Sequence, residues 1–546
     1  MVMATVMVTV MVMGQTVLER SGGGAGDQPR FASLRRHRRD AVGEGRRRRR
    51  KLSALLLVLA GTSAAVQAGD WTIVPSIAVN ETLTNNVFLS GTDPTSDSVT
   101  GIAPGISIDG KGDRASLRLN YVITQYLYAR ETQENNHQSA LRATGTLEAI
   151  EDWLFIDATG TISQQYLSAF GAVSPSSANV DRNRTETSSY SLSPYLKGRL
   201  LGWADYRLRY QAATTSSQSN LAPNLDVYTW SGGVNGATRW NHITWALDAS
   251  DQKSDYETGR DYQASNYGVT LAYRFSPQFQ VSLIGGRESN DYVSLDQQTN
   301  YTRGFGFDWT PSQRTQLAAI VKNRFFGTGW DVNFSHRRPR SMISFRSSKD
   351  VSLQPPGVGN TGQGSNYDNF YAIIAATNPD LSPAEISAQT AQLLVDRGIP
   401  ADGTVVNGYL DDRPNVQNLQ QLTAALMGAR NTVTFTATRS EQQGLSLLNG
   451  LTNNFSTQGR ILQVGYGLIW AHQLTGLSSL SMSFNQQRSS TFVANSPETT
   501  TSGGYLLFST RFSPKTTANI GARRVISSGV TSYTENALTG ALSHSF

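Results

Sequence analysis

The stretch Ala115-Ser116-Leu117-Arg118-Leu119-Asn120-Tyr121-Val122-Ile123-Thr124 decides the fold. In an extended chain it sets Leu117, Leu119, Tyr121 and Ile123 on one face and Ser116, Arg118, Asn120 and Thr124 on the other, with Val122 the one exception. The same period of two recurs where Ala204, Tyr206, Leu208 and Tyr210 alternate with Asp205, Arg207, Arg209 and Gln211, and where Val269, Leu271, Tyr273 and Phe275 alternate with Thr270 and Arg274. Arginine returns repeatedly to the polar face. A soluble sandwich alternates too, but it buries its apolar face against a second sheet and rarely needs so many strands.

Working outward from these strands, tight turn signals recur about every 40 residues, the length of two membrane strands and an outer loop. They are Lys111-Gly112-Asp113, Glu151-Asp152, Leu201-Gly202, the region of Thr238, Ser276-Pro277-Gln278, Pro311-Ser312, Arg338-Pro339, Gly428 to Arg430, Leu474 to Gly476 and Ser513-Pro514-Lys515. Ten such turns join about 22 antiparallel strands if both termini lie on the same side, with 18–24 as the range that slips of register allow. Longer polar segments at Ser168 to Thr185, Ser216 to Asp226 and Gln442 to Thr457 suit outer loops. The pattern breaks once, at a polar insert from about 352 to 415. There Ser382, Pro383 and Glu385 make a capping box, and Ile386, Leu393 and Leu394 share a helical face before Gly398. The plainer expectation for this insert is an extracellular surface loop with its one short helix packed on itself. The sharper one is a lid or constriction over a pore.

The remaining features locate the chain. Arg46 to Lys51 form a basic region, Leu52 to Ala60 an apolar one, and Val66-Gln67-Ala68 a small-residue cleavage site, so 42–68 reads as a signal peptide. The Met/Val repeat and the Gly- and Arg-rich stretch of 1–41 fit no part of it, and translation from near Val42 would place the basic region at the terminus. Beyond residue 68 no apolar run is long enough for a transmembrane helix. With a mean hydropathy of −0.33, a membrane-spanning 69–546 must be a closed β-barrel. The leader carries 12 Lys+Arg against 4 Asp+Glu, out of 47 and 41, which leaves the mature chain at −2 and gives no reason to expect a nucleic-acid partner. Cysteine is absent, which excludes disulfides and thiolate sites. The last strand alternates through Leu538, Gly540, Leu542 and His544 to a terminal Phe546, as outer-membrane barrels of Gram-negative bacteria do. Leu542, His544 and Phe546 are the expected signal to the barrel-assembly machinery, with His544 standing where an aromatic residue is more usual.

The segments Phe307-Asp308-Trp309-Thr310-Pro311-Ser312-Gln313-Arg314-Thr315, Arg324-Phe325-Phe326-Gly327 and Phe334-Ser335-His336-Arg337-Arg338-Pro339-Arg340 resemble the outer-membrane proteins associated with PEP-CTERM/exosortase systems. So do Asn80-Glu81-Thr82, Asn85-Asn86-Val87, Arg430-Asn431-Thr432 and Trp470-Ala471-His472. The resemblance implies a barrel encoded beside exopolysaccharide synthesis, with exopolysaccharide or export-system proteins as partners besides the membrane lipids. It supplies no catalytic residues. On the residues alone, Pro311 and Pro339 are expected to set turns and Gly327 to permit a tight backbone.

No constellation of catalytic residues emerges. Gly105 to Lys111 matches the start of a phosphate-binding loop, but Gly112 follows where Ser or Thr is needed, and the segment lies in a hairpin where a helix is required. The mature chain's histidines, at 137, 242, 336, 472 and 544, have no metal-ligand spacing, and no cofactor or metal is expected. The candidate functional residues are the arginines of the polar face: Arg118, Arg142, Arg199, Arg207, Arg209, Arg274 and Arg324. Gathered around a pore they favour anions; paired with wall acids such as Glu148, Asp205 and Asp248 they stiffen it. The expectation is therefore a conduit or assembly component for exported polymer, with a general diffusion porin and a structural or adhesive barrel as alternatives, and no enzyme activity.

Overall fold

The computed structural model describes residues 69–219, 224–239, 242–352, 366–377, 386, 389–391, 393–394, 405–410, 414–445, 459–492 and 497–546. The expected leader, 1–68, and the capping residues Ser382, Pro383 and Glu385 with Gly398 lie outside them.

Period-two alternation becomes 22 strands. They are β1 (Asp70–Thr84), β2 (Asp97–Lys111), β3 (Ala115–Tyr128), β4 (Asn136–Ile150), β5 (Leu154–Tyr166), β6 (Arg184–Leu200), β7 (Ala204–Ser217) and β8 (Leu225–Ala237). There follow β9 (Ile243–Tyr256), β10 (Tyr262–Ser276), β11 (Phe279–Asn290), β12 (Gln298–Ser312), β13 (Thr315–Arg324), β14 (Gly327–Arg338) and β15 (Ser341–Ser352). The last are β16 (Asn415–Met427), β17 (Asn431–Gly444), β18 (Arg460–Gln473), β19 (Ser478–Thr491), β20 (Thr499–Ser513), β21 (Thr516–Gly529) and β22 (Tyr533–Ser545). Each pairs with its neighbours in sequence, and β1 closes on β22 from Ser76↔Ser545 to Thr84↔Ala537. Closure removes the sheet edge, so every ladder group finds a partner without water.

Register sorts the side chains into two faces. On β10 the row Tyr267, Val269, Leu271, Tyr273 and Phe275 is exposed, and it runs beside Leu247 of β9 and Leu283 of β11. Exposed apolar side chains on an unbroken wall are lipid-facing. Trp203 and Trp245, with ring centroids 5.6 Å apart, mark the end near the short turns, and Trp230, Tyr267 and Tyr301 the other. A closed 22-stranded barrel with this belt is an outer-membrane protein, seated among that membrane's lipids.

The short turns fall where the sequence placed them, with one correction. Leu201 and Gly202 both have positive φ (47° and 78°), the geometry whose twist matches a two-residue hairpin. Pro311 sets no turn: β12 continues through Ser312, the ladder slips between Trp309 and Ser312, and the chain reverses at Gln313-Arg314. Proline has no N–H to give the ladder, so the irregularity falls there instead of a turn. On the outer side 167–183 joins β5 to β6 close to expectation, while β7 ends at Ser217 and β17 at Gly444, and most of the other two expected loops lies outside the described residues. Phe325-Phe326 alone joins β13 to β14, and Gly327 follows at φ 99°, as a tight backbone requires.

The chain divides into two compact units, a small one whose described residues are 69–71 and 110–117, and a large one of 72–109 with 118–546. In the small unit the Gly112 amide donates to the Ala115 carbonyl (2.7 Å), and the Trp71 indole covers Gly110, where an added Cβ would lie 2.1 Å from the ring. Gly105 to Lys111 is simply strand. The large unit holds the rest of the wall and the long insert between β15 and β16.

Candidate functional site: the insert inside the barrel

The segment between β15 and β16 begins and ends at paired residues, Ser352↔Asn415, so its two ends leave the wall together. Its first described element is a helix, α1 (Asn366–Thr377), which the sequence reading missed. Asn366, Phe370 and Ile374, spaced by four, form its buried face. Residues 386, 389–391 and 393–394 are also helical, in the place expected for the capped helix, with Ile386 and Leu394 buried.

This segment does not pack on itself above the barrel. Phe370 and Leu394 join Met342 of β15, Ala425 of β16 and Ala471 of β18 in one cluster, with Tyr367 and Leu393 against it. Each of those wall residues lies within two positions of the short-turn end of its strand, so the insert reaches the periplasmic end of the lumen. The expectation of a surface loop is therefore corrected, because a wall of about 22 strands encloses more space than its own side chains fill. Apolar groups of the insert find cover there that solvent denies them.

The chain then climbs along the inner face of β18. Gly465 and Gly467 make room for it: a Cβ on Gly465 would lie 2.5 Å from Val406 and one on Gly467 2.6 Å from Val405. Above them the Asn407 amide donates to Oε1 of Gln487 (2.9 Å), and Gln463 Nε2 donates to the Asn407 carbonyl (3.1 Å). Tyr409 packs with Phe170 and Ile461, and the Leu410 amide donates to the Tyr166 carbonyl (2.8 Å).

The inner face of β17, which lies between the strands that the insert touches, carries Thr432, Thr434, Thr436, Thr438, Ser440 and Gln442, all at most 3% exposed. The hydroxyls of Thr432, Thr434 and Thr438 and both amide atoms of Gln442 have no hydrogen-bond partner among the described residues. Each buried orphan costs about 1–3 kcal/mol, while each fully buried large apolar side chain contributes about 1.5–3 kcal/mol. Against that cost stand the buried apolar anchors Phe370, Ile374, Ile386, Leu394, Val405, Val406 and Leu410.

The arginines singled out from sequence lie at different heights, so no single ring gathers them. Arg199 meets Asp205 (3.1 Å) beside the Leu201-Gly202 turn, whereas Arg324, at the outer end of β13, meets Glu288 (2.6 Å) and Asp350 (2.7 Å). Arg118 pairs with Asp109 (2.8 Å). Arg209 pairs with Asp157 (2.9 Å) and stacks on Tyr195 at 4.2 Å, with Arg207 at 5.7 Å from the same ring. Glu148 accepts from the Asp152 amide and serves a turn. Arg274 makes no side-chain ion pair among the described residues and lies exposed near the Ser276 turn. Of the seven, only Arg142 engages the described part of the insert: its guanidinium lies 4.6 Å from the Tyr367 ring centroid. Because β4 stands half-way round the 22-strand ring from β15, α1 spans from one wall to the opposite one. Arg142→Ala is expected to weaken the seating of α1 by about 0.5–2 kcal/mol, read as faster amide exchange over Asn366–Thr377 with the wall unchanged.

At the outer mouth the loops 85–96 and 167–183 are tied to the wall through a buried ion pair missed from sequence. Arg523 Nη2 donates to Glu535 Oε1 (2.7 Å), and the pair is 8% and 0% exposed. Asn179 of the second loop donates to Glu535 (2.9 Å) and to the Asn86 carbonyl (3.3 Å), and Thr84 completes the shell at 2.9 Å. At the opposite terminus of β22, His544 shares a hydrogen bond with Thr516 (2.9 Å) and meets Phe546 edge-on at 5.0 Å, and the Phe546 amide donates to the Pro75 carbonyl (2.9 Å).

No family model and no curated protein matches this chain. Solved structures similar to it include the siderophore receptor PirA from Acinetobacter baumannii, at 9% identity and a TM-score of 0.46 over 88% of this chain and 81% of that one. The FrpB iron transporter from Neisseria meningitidis gives 9% and 0.45, over 87% and 82%. The siderophore receptor PirA from Pseudomonas aeruginosa gives 8% and 0.44, over 88% and 81%. A likeness this distant carries neither ligand nor partner over to this chain.

Proposed function

We propose that the barrel is a gated conduit across the outer membrane, held shut by its own β15–β16 insert, and that what passes through it is an exported polymer. The observation that carries the gating is the folded insert that links Met342, Ala425 and Ala471 to Arg142 on the far wall. A lumen bridged in this way suits a channel that opens on demand better than a permanently open diffusion porin. The polymer is the part that rests on the resemblance to PEP-CTERM/exosortase-associated proteins, with exopolysaccharide as cargo and export-system proteins as partners. In the same reading, Leu542, His544 and Phe546 present the last strand to the barrel-assembly machinery.

A disulfide tests the gate directly. The Cβ positions of Gly467 and Val405 are 3.7 Å apart, within the span of about 3.5–4.5 Å that a disulfide needs. The chain has no cysteine to compete. Gly467→Cys with Val405→Cys is expected to give a barrel that is silent in planar bilayers when oxidised and opens after reduction. Equal conductance in the two states sinks the gate.

A further inference from the structure

We infer that Thr432, Thr434, Thr436, Thr438, Ser440 and Gln442 form a binding track for a neutral, hydroxyl-rich carbohydrate chain, uncovered when the insert leaves the wall. The inference rests on the gated-conduit reading and names its substrate class.

Three observations converge on one strand. The register of β16, β17 and β18 places all six side chains on the inner face, while Val433, Phe435 and Ala437 take the lipid face. All six are buried, beside wall positions of β16 and β18 that the insert contacts, and among the described residues three of the hydroxyls and the Gln442 amide have nothing to bond to. Polar groups that a fold covers without satisfying are rare, and they call for a second state in which they are satisfied. Water alone would satisfy them, but the surroundings are more selective than that. The inner positions that flank it on β16 and β18 mix amides, such as Gln417, Gln421 and Gln463, with apolar groups, such as Ala425, Met427 and Ile469, and no charge interrupts the patch. Charged inner positions begin one strand further on, at Arg346 and Asp350 of β15, and recur at Asp157, Lys197, Arg207 and Arg209 on β5 to β7.

A threonine hydroxyl donates one hydrogen bond and accepts two, the same capacity as a sugar hydroxyl. Alternate residues of a strand repeat every ~6.8 Å, so the ladder offers such groups at regular steps along the path of a threading chain. Each contact is single and neutral, hence weak and quickly exchanged, as a chain in motion requires. An acidic polymer would find no cation on β16 to β18 themselves.

The test uses the full mature chain in planar bilayers, with dextran added as probe during open events. Thr432→Val, Thr434→Val and Thr438→Val together keep side-chain shape and remove the orphan hydroxyls. Their expected effects are a dwell time of dextran shortened about tenfold, the worth of one or two hydrogen bonds, and less frequent opening, since valine sits more comfortably beneath the insert. The matching serine variant restores the hydroxyls and is expected to restore the dwell time, which separates hydroxyl loss from misfolding. A valine variant that opens as often and holds dextran as long as the parent overturns the track and leaves the gate standing. Block by an unfolded polypeptide or by dextran sulfate in place of dextran overturns it too. A parent chain that never opens at any voltage overturns the gate and the track together.

Discussion

Replacing 353–414 with a short Gly-Ser linker is expected to turn a barrel that opens only intermittently into a wide, steadily conducting channel. The wall can tolerate the excision, because Ser352 and Asn415 already pair across β15 and β16 and a tight hairpin can join them. Nothing in the strand ladders depends on the insert: β15 and β16 stay in register along their whole length down to Ser341↔Leu426. What is lost is α1, the second helical stretch and the segment along β18, which are the parts that cross the lumen. Conductance should rise by at least roughly tenfold, since a wall of about 22 strands is wider than the 16- to 18-stranded ones that already leave an aqueous channel. Heat-dependent mobility on gels verifies that the variant is folded. If the folded variant conducts no more than the parent, the lumen is closed by the mouth loops instead, and the insert is a structural brace.

The barrel was legible in the sequence because its wall obeys a one-dimensional rule. Alternation at Leu117 to Ile123 or at Ala204 to Tyr210 needs no knowledge of what the strand touches, and turns such as Leu201-Gly202 announce themselves by residues that tolerate positive φ. Pro311 failed because proline is compatible with a bulge as well as with a turn. The destination of the insert was not legible, for a physical reason. Thr432, Thr434, Thr436 and Thr438 read as lumen-facing whether water or a folded segment lies against them. Helix α1 was hidden in a different way. Tyr367, Phe370, Tyr371 and Ile374 have helical spacing, but they sit in an Asn- and Gly-rich surround without a strong cap. The clue that was present and passed over is Gly465 with Gly467. Two glycines on the inner side of a strand mark the close approach of another backbone. The acids that pair with Arg324 and Arg523 come from strands whose register no single sequence fixes.

Glu535→Ala is expected to destabilise the outer mouth by about 3–5 kcal/mol, the usual cost of stranding one partner of a buried ion pair. The Glu535 carboxylate has four donors around it: two nitrogens of Arg523, the Asn179 amide and the Thr84 hydroxyl. Removing it leaves the Arg523 guanidinium, 8% exposed, with only the Asn179 oxygen, at 3.0 Å, as a side-chain hydrogen-bond partner among the described residues. The wall should survive, because β21 and β22 keep a twelve-residue ladder from Thr516↔His544 to Ser527↔Tyr533 that does not pass through these side chains. The energy is therefore expected to appear in the loops 85–96 and 167–183, whose link through Asn179 and Asn86 depends on the carboxylate. Limited proteolysis should cut within 167–183 in the variant and spare the parent, while the melting of the barrel changes little. Arg523→Met combined with Glu535→Leu should restore much of the protection, since a matched apolar pair leaves no buried charge unpaired. Protection lost equally in the single and double variants would mean that specific hydrogen bonds from Asn179 and Thr84, and not the burial of a lone charge, hold the mouth in place.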